Sequence, residues 1–170
     1  MTKKILLICS FFFVSIMIVS AQETKSIYDP KLDGMAQIKS AVDIAKKQHK
    51  NILLQIGGNW CTWCLAFNKL VTTNTTLDSI LKADYVVEHI NYSKENKNAA
   101  VMESLGFPNR FGFPVFVILD ENGNRIHTQN SAYLEAADGK VSHDVNKVKE
   151  FLEAWSPKVL DPKVYREQLK

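Results

Sequence analysis

Cys61 and Cys64 are the residues of this sequence best suited to chemistry. They stand in the run Trp60-Cys61-Thr62-Trp63-Cys64, with two residues between the thiols. Thiols so spaced can bond to each other within one helical turn, and a thiolate there can attack a disulfide in another molecule. A cysteine at a helix start gains from the unpaired N–H groups and the positive end of the dipole, which stabilise thiolate. On this reading Cys61 is the exposed attacker and Cys64, one turn later and buried, is the resolver. Cys61 attacks a substrate disulfide, a mixed disulfide forms, and Cys64 releases the product.

Plainer uses of the pair compete with that one. As a permanent structural disulfide it closes so short a loop that the unfolded chain is little constrained. As half of a zinc site it lacks a second C-x-x-C, and His49, His89, His127 and His143 are scattered. Covalent haem attachment needs His directly after the second cysteine, where Leu65 stands. A peroxide-reducing site is disfavoured because no Thr-x-x-Cys precedes a strand-to-helix turn.

The elements that must position the cysteines are legible on both sides. Met35, Ile38, Val42 and Ala45 recur at helical spacing, and Lys46, Lys47 and Lys50 suit the helix end. Residues 52–56 (Ile-Leu-Leu-Gln-Ile) form a nearly continuous apolar run, the pattern of a buried strand. Gly57-Gly58-Asn59 breaks it, and a helix starts at the cysteines. A short helix is expected over 77–82, a strand over 85–91 and a helix over 96–105 closed by Gly106. An aromatic loop fills 107–113, and 115–119 is the strongest strand pattern. Residues 120–124 make a hairpin turn into a return strand at 125–128. Residues 129–144 have no clear period and read as a long loop. Val148, Phe151, Leu152 and Trp155 share one face of a last helix that Pro157 ends. Strands separated by helices imply parallel crossovers, and the hairpin adds an antiparallel pair. The expected class is α/β, a central mixed β-sheet flanked by helices on both faces.

Taken together these residues resemble the thioredoxin-like superfamily. The resemblance rests on the strand at 52–56 leading into Trp60-Cys61-Thr62-Trp63-Cys64, on Gly112-Phe113-Pro114-Val115 downstream, and on the hairpin at 120–123. The stretch 45–64 is most similar to exported bacterial thioredoxin-like proteins with a W-C-x-W-C site, and the likeness covers about residues 35–155. It implies a thiol–disulfide oxidoreductase that needs no bound cofactor. It also implies a cis Phe113-Pro114 bond facing the cysteines, which exposes the Phe113 backbone to a substrate peptide pairing as an added strand. Trp60, Trp63, Phe113 and Pro114 are the expected substrate groove. Phe107 and Phe111 are expected in the core. One departure stands out: the resemblance implies a buried acid six positions before the first cysteine, and Gln55 occupies that place. Gln cannot take a proton. The basic residue often found just after the second cysteine is also absent from Leu65, Ala66 and Phe67. Thr62-Trp63 carries no charge and no His, which argues for a reductant over a strong oxidase.

The N-terminus reads as an address. Lys3 and Lys4 precede an apolar run over 5–19, and Val19 and Ala21 stand at positions −3 and −1 of a small-residue cleavage site. That is a secretory signal, 1–21, and the run is short for a membrane anchor. An exported, periplasmic protein follows, with the uncleaved anchor as the alternative. Cleavage removes Cys9 and two of the 21 basic residues, which against 18 acidic ones leaves a net charge of +1. Cys61 and Cys64 are then the only thiols. The remaining division is an N-terminal arm over 22–34, the thioredoxin-like domain over 35–156 and a tail helix over 157–170 opened by Asp161-Pro162. The 170 residues are 46% hydrophobic and 23% charged, which excludes wholesale disorder, and a formal charge of +3 without a basic-aromatic cluster gives no case for nucleic acid. The expected partners are proteins with cysteines or disulfides and a membrane or soluble redox donor, acting on a monomer. The competing function is a thioredoxin-fold peptide-binding or chaperone module whose disulfide is static.

Overall fold

The computed structural model describes residues 26–170. The secretory-signal reading of 1–21 lies outside the described residues. Among those described, no helix is long and apolar enough to cross a membrane.

The elements run α1 (Gly34–Gln48), β1 (Asn51–Gly57), α2 (Thr62–Thr73), α3 (Thr75–Asp84), β2 (Tyr85–Asn91), α4 (Ala99–Ser104), β3 (Val115–Leu119), β4 (Arg125–Asn130), α5 (Val145–Ala154), α6 (Pro157–Leu160) and α7 (Pro162–Gln168). The four strands lie in the order β2-β1-β3-β4, with β1–β2 parallel and β1–β3 and β3–β4 antiparallel. The sheet is therefore mixed, with helices on both faces, as expected.

The direction of β3 corrects the expectation that helices between strands bring parallel crossovers. Helix α4 has six residues and spans only about 9 Å. It cannot carry the chain back along the sheet. The chain leaves β2 at Asn91, beside Gly57, and re-enters at Val115, opposite Ile56, so it returns at the same end and runs the other way.

Every residue of β1 is buried, as a central strand requires. Its alternation divides the core. Ile52, Leu54 and Ile56 pack with Ala41 and Ala45 of α1, Val101 and Met102 of α4, and Val115, Val117 and Leu119. Leu53 faces the other way, among Phe67, Val71, Leu77, Leu81, Phe116, Phe151 and Leu152. Gln55 and Gly57 share that second face by period, so the strand delivers them beneath α2. Asp33 caps α1 through Met35 N and Ala36 N, and Asn74 and Asp144 cap α3 and α5 in the same way. Tyr85 Oη donates to Leu152 O, and Asn51 Nδ2 donates to Trp155 O, which ties α5 to the start of the two parallel strands.

Candidate active site

The turn Gly58–Cys61 lifts the chain from β1 into α2, with Cys61 N donating to Gly58 O at 3.0 Å. Cys61 is the N-cap of α2, and its sulfur accepts from Cys64 N at 3.1 Å. The cysteines are joined as a disulfide with Cα atoms 5.2 Å apart. No acidic residue lies in the first turn of α2, so nothing there neutralises the positive helix end. Phe67 and Val71 anchor the helix in the second core, which holds its N-terminus in place.

Cys64 is 0% exposed and Cys61 5%. Cys61, expected to be exposed, is nearly covered in the disulfide form, as Cys64 is. Tyr28 lies with the two cysteines in one buried cluster, and Ile27, Trp63 and Phe113 pack around it. Gly57 is required by this packing, because a Cβ there would stand 2.4 Å from Cys64 Sγ.

The aromatic residues separate by role. Trp60 is 58% exposed, and its indole N–H donates to Tyr92 O at 2.8 Å. The Phe113 ring meets Trp60 edge-on at 5.5 Å and Tyr92 at 4.7 Å. The Phe113-Pro114 bond is cis, and Pro114 is buried at the entry to β3. A cleft of about 460 Å³ opens beside Trp60, lined by Tyr92, Ser93, Lys94, Glu95 and Lys97. Trp63, half-buried, turns from this cleft to meet His143 edge-on at 5.5 Å. Phe107 and Phe111, expected in the core, are 56% and 39% exposed. Pro108 takes the buried position between them, Phe107 turns outward in the left-handed region at φ 57°, and Arg110 lies over the Phe111 ring at 4.4 Å.

Gln55 is buried, and its amide nitrogen is doubly used. Its Nε2 donates to Tyr28 Oη at 2.7 Å and to Cys64 O at 3.0 Å. Burial pushes the Tyr28 phenol well above its ordinary value, and the Gln55 hydrogen bond pulls it partly back. His89 pairs with Gln55 across β1 and β2 and meets the Tyr28 ring edge-on at 5.5 Å, and burial lowers its pKa. His143 packs against Trp63 and Phe67, neither ring nitrogen has a hydrogen-bond partner, and burial pushes its pKa down to about 4.

The structure thus brings Cys61, Cys64, Trp63 and Phe113 into one cluster, with Trp60 edge-on to Phe113 and Pro114 joined to Phe113 by the cis bond. Tyr28, His143 and Tyr92 belong to the same neighbourhood and were absent from the sequence-derived set. Tyr28 had a signal, the apolar pair Ile27-Tyr28 in an otherwise polar arm. His143 had none, lying in a segment without period. Among the described residues no three His, Cys, Asp or Glu side chains gather as a metal site.

A buried strand, a cysteine pair opening the next helix and a cis-proline bond after a phenylalanine packed on that pair define a class. Residues 33–121 match the family model described as Thioredoxin-like, and the chain belongs to that family. Among solved structures it is similar to a disulphide isomerase from Xylella fastidiosa Temecula1, at 26% identity and a TM-score of 0.63, over 74% of this chain and 93% of that one. A DsbH oxidoreductase matches at 21% identity and a TM-score of 0.47, over 68% of this chain and 81% of that one. A thioredoxin from Thermus thermophilus matches at 16% and 0.43, over 60% and 72%. No curated protein matches the sequence.

Proposed function

We propose that this protein is an exported thiol–disulfide oxidoreductase that acts as a reductant more than as a strong oxidase. The observation that carries the reading is Cys61 at the N-cap of α2, its sulfur hydrogen-bonded by Cys64 N and bonded to Cys64. In the reduced protein the Cys61 thiolate attacks one sulfur of a substrate disulfide. That bond breaks, and one substrate thiolate leaves. The Cys64 thiolate then attacks Cys61 Sγ in the mixed disulfide and expels the second substrate thiolate. Two electrons have passed from the protein dithiol to the substrate, and a thiol or membrane donor must return them. Trp60, Phe113 and Pro114 border the groove where the substrate chain lies, and Trp63 packs behind the cysteines.

The similarity to a disulphide isomerase supports thiol–disulfide exchange at this site. The direction rests on electrostatics. Thr62 and Trp63 bring no charge, and the imidazole against Trp63 is neutral at pH 7 because its pKa is held at about 4. Neither the residues between the cysteines nor His143 adds a positive charge to that of the helix end. Export rests on the N-terminal pattern of Lys3, Lys4 and the apolar run before Ala21.

The second reading, a peptide-binding module with a static disulfide, draws support from the near-complete cover over both sulfurs. Glutathione equilibration followed by tryptophan fluorescence separates the two. A potential near or below about −250 mV fits the reductant, about −120 to −180 mV fits an oxidase or isomerase, and a pair that never equilibrates leaves the binding module. Cys61→Ser should abolish turnover and Cys64→Ser should trap mixed disulfides. A binding module would keep its partners through both changes.

A further inference from the structure

We propose that the Tyr28 hydroxyl is the hydrogen-bond donor that stabilises Cys64 as a thiolate, in the place where Gln55 leaves no proton-accepting acid. The inference deepens the oxidoreductase reading and rests on it.

The hydrogen-bond directions follow from chemistry. Gln55 Nε2 lies 3.0 Å from Cys64 O, and a carbonyl oxygen only accepts, so the NH₂ end of the amide must face that way. The same nitrogen lies 2.7 Å from Tyr28 Oη, so the phenol oxygen accepts there. The phenol's own proton is then left to donate, and no hydrogen bond to another described residue takes it up. Tyr28 is 0% exposed, so water does not readily supply an acceptor. A buried donor without an acceptor is costly and calls for a partner.

The partner is set by Gly57. A Cβ at that position would meet Cys64 Sγ at 2.4 Å and Tyr28 Oη at 3.1 Å. The sulfur and the hydroxyl therefore flank the same small space, kept open by the missing side chain. In the disulfide form the sulfur is a weak acceptor. Once the bond opens, the sulfur carries negative charge and becomes a strong one. The phenol is suited to donating. Burial keeps it protonated throughout the working pH range, so it acts as a donor and not as a base. The polar and titratable groups around Tyr28 are Gln55 from β1, Cys61 at the cap of α2, His89 from β2 behind the ring, and Ser26 and Asn59 on the Tyr28 backbone. None is a carboxylate, and burial lowers the His89 pKa, which favours its neutral form.

An external thiolate attacks Cys61 Sγ, and the Cys61–Cys64 bond breaks. The electron pair goes to Cys64 Sγ, which leaves as a thiolate and accepts the Tyr28 O–H. In the reverse step the Cys64 thiolate, held by that bond, attacks Cys61 Sγ of the mixed disulfide and displaces the external thiolate. Tyr28 keeps its proton in both directions.

The test is Tyr28→Phe in the full chain, with dithiothreitol as the external thiol. Stopped-flow tryptophan fluorescence reads the rate of disulfide opening against pH, and a ¹³Cβ-cysteine titration of the reduced protein reads Cys64. The expected result is an opening rate about tenfold or more lower and a Cys64 pKa raised by about one unit or more, the scale of a lost hydrogen bond to a charged group. An unchanged rate and an unchanged titration overturn the proposal. Should Tyr28→Phe fail to fold, 3-fluorotyrosine at position 28 keeps the hydroxyl. Its ¹⁹F resonance should then move with the Cys64 titration, and a resonance indifferent to it overturns the proposal. Failure of the oxidoreductase reading looks different: the unaltered protein itself would resist dithiothreitol and glutathione, and both ideas would fall together.

Discussion

His143 should give the protein an acid-side stability slope that a single substitution removes. Its ring is buried between Trp63 and Phe67 with both nitrogens unpartnered, and its pKa falls from the ordinary 6.5 to about 4. Below pH 6.5 the unfolded chain takes up a proton that the folded protein refuses. The unfolded state binds more protons in that window, so this contribution is complete above pH 6.5 and is lost as pH falls towards 4. Between about pH 7.5 and pH 5 the loss is about 2 kcal/mol, or roughly 4–8 °C in Tm for a chain of this size. His89, lowered by burial, acts in the same sense, and Glu88, raised by burial, acts against it. The comparison must therefore be made against His143→Phe, which leaves those two in place. Urea denaturation of both proteins at the two pH values isolates the effect. At pH 7.5 the Phe variant should equal or exceed the parent, since two unpartnered nitrogens are replaced by ring carbon. At pH 5 it should be the more stable by about 2 kcal/mol. Parallel acid slopes in the two proteins would refute the assignment.

Gly57→Ala places a methyl group against Cys64 Sγ and Tyr28 Oη and should cost about 1–3 kcal/mol by overpacking, measured by denaturation of the oxidised protein. The same variant should slow thiol–disulfide exchange with dithiothreitol, because Cys64 must shift to admit the new carbon. Asp144→Ala removes the side chain that accepts from Asn146 N and Lys147 N at the start of α5 and should cost about 1 kcal/mol, seen as a lower urea midpoint. Trp60→Ala should leave Tm nearly unchanged and raise the KM for a peptide disulfide, because that indole is largely exposed at the rim of the cleft. A large loss of Tm in that variant would mean that Trp60 supports the fold and not the groove.

The fold was legible where apolar period and punctuation agreed. Residues 52–56 and 115–119 are continuous apolar runs between breakers, and both are strands buried on two faces. The strand read at 85–91 has the same bounds in the structure. What the pattern could not carry was direction. The length of α4, and not its existence, decides that β3 runs antiparallel to β1, and six helical residues look much like ten in a sequence with loose periodicity. The cysteine pair was legible because spacing and a preceding strand coincide. Phe107 and Phe111 misled because apolarity predicts a preference for burial, while a left-handed residue and Pro108 decide which side chain turns inward. His143 reaches the site only through tertiary contact, from a segment without a period, and the apolar pair Ile27-Tyr28 marks burial without saying against what.

The attachment of α5 carries a consequence for the order in which the molecule can be completed. Val148, Phe151 and Leu152 close the same apolar layer that Leu53, Phe67 and Leu77 open, and the Asn51–Trp155 hydrogen bond joins residues 104 positions apart. Contacts of such separation form late, because the loop between them must be closed first. A chain emerging from its N-terminus therefore presents both cysteines and a side of the sheet that α2 and α3 cover only in part, before α5, which completes the cover, exists. For that interval the sheet is a greasy surface with reactive thiols beside it, and whatever shelters the nascent chain must shield both at once.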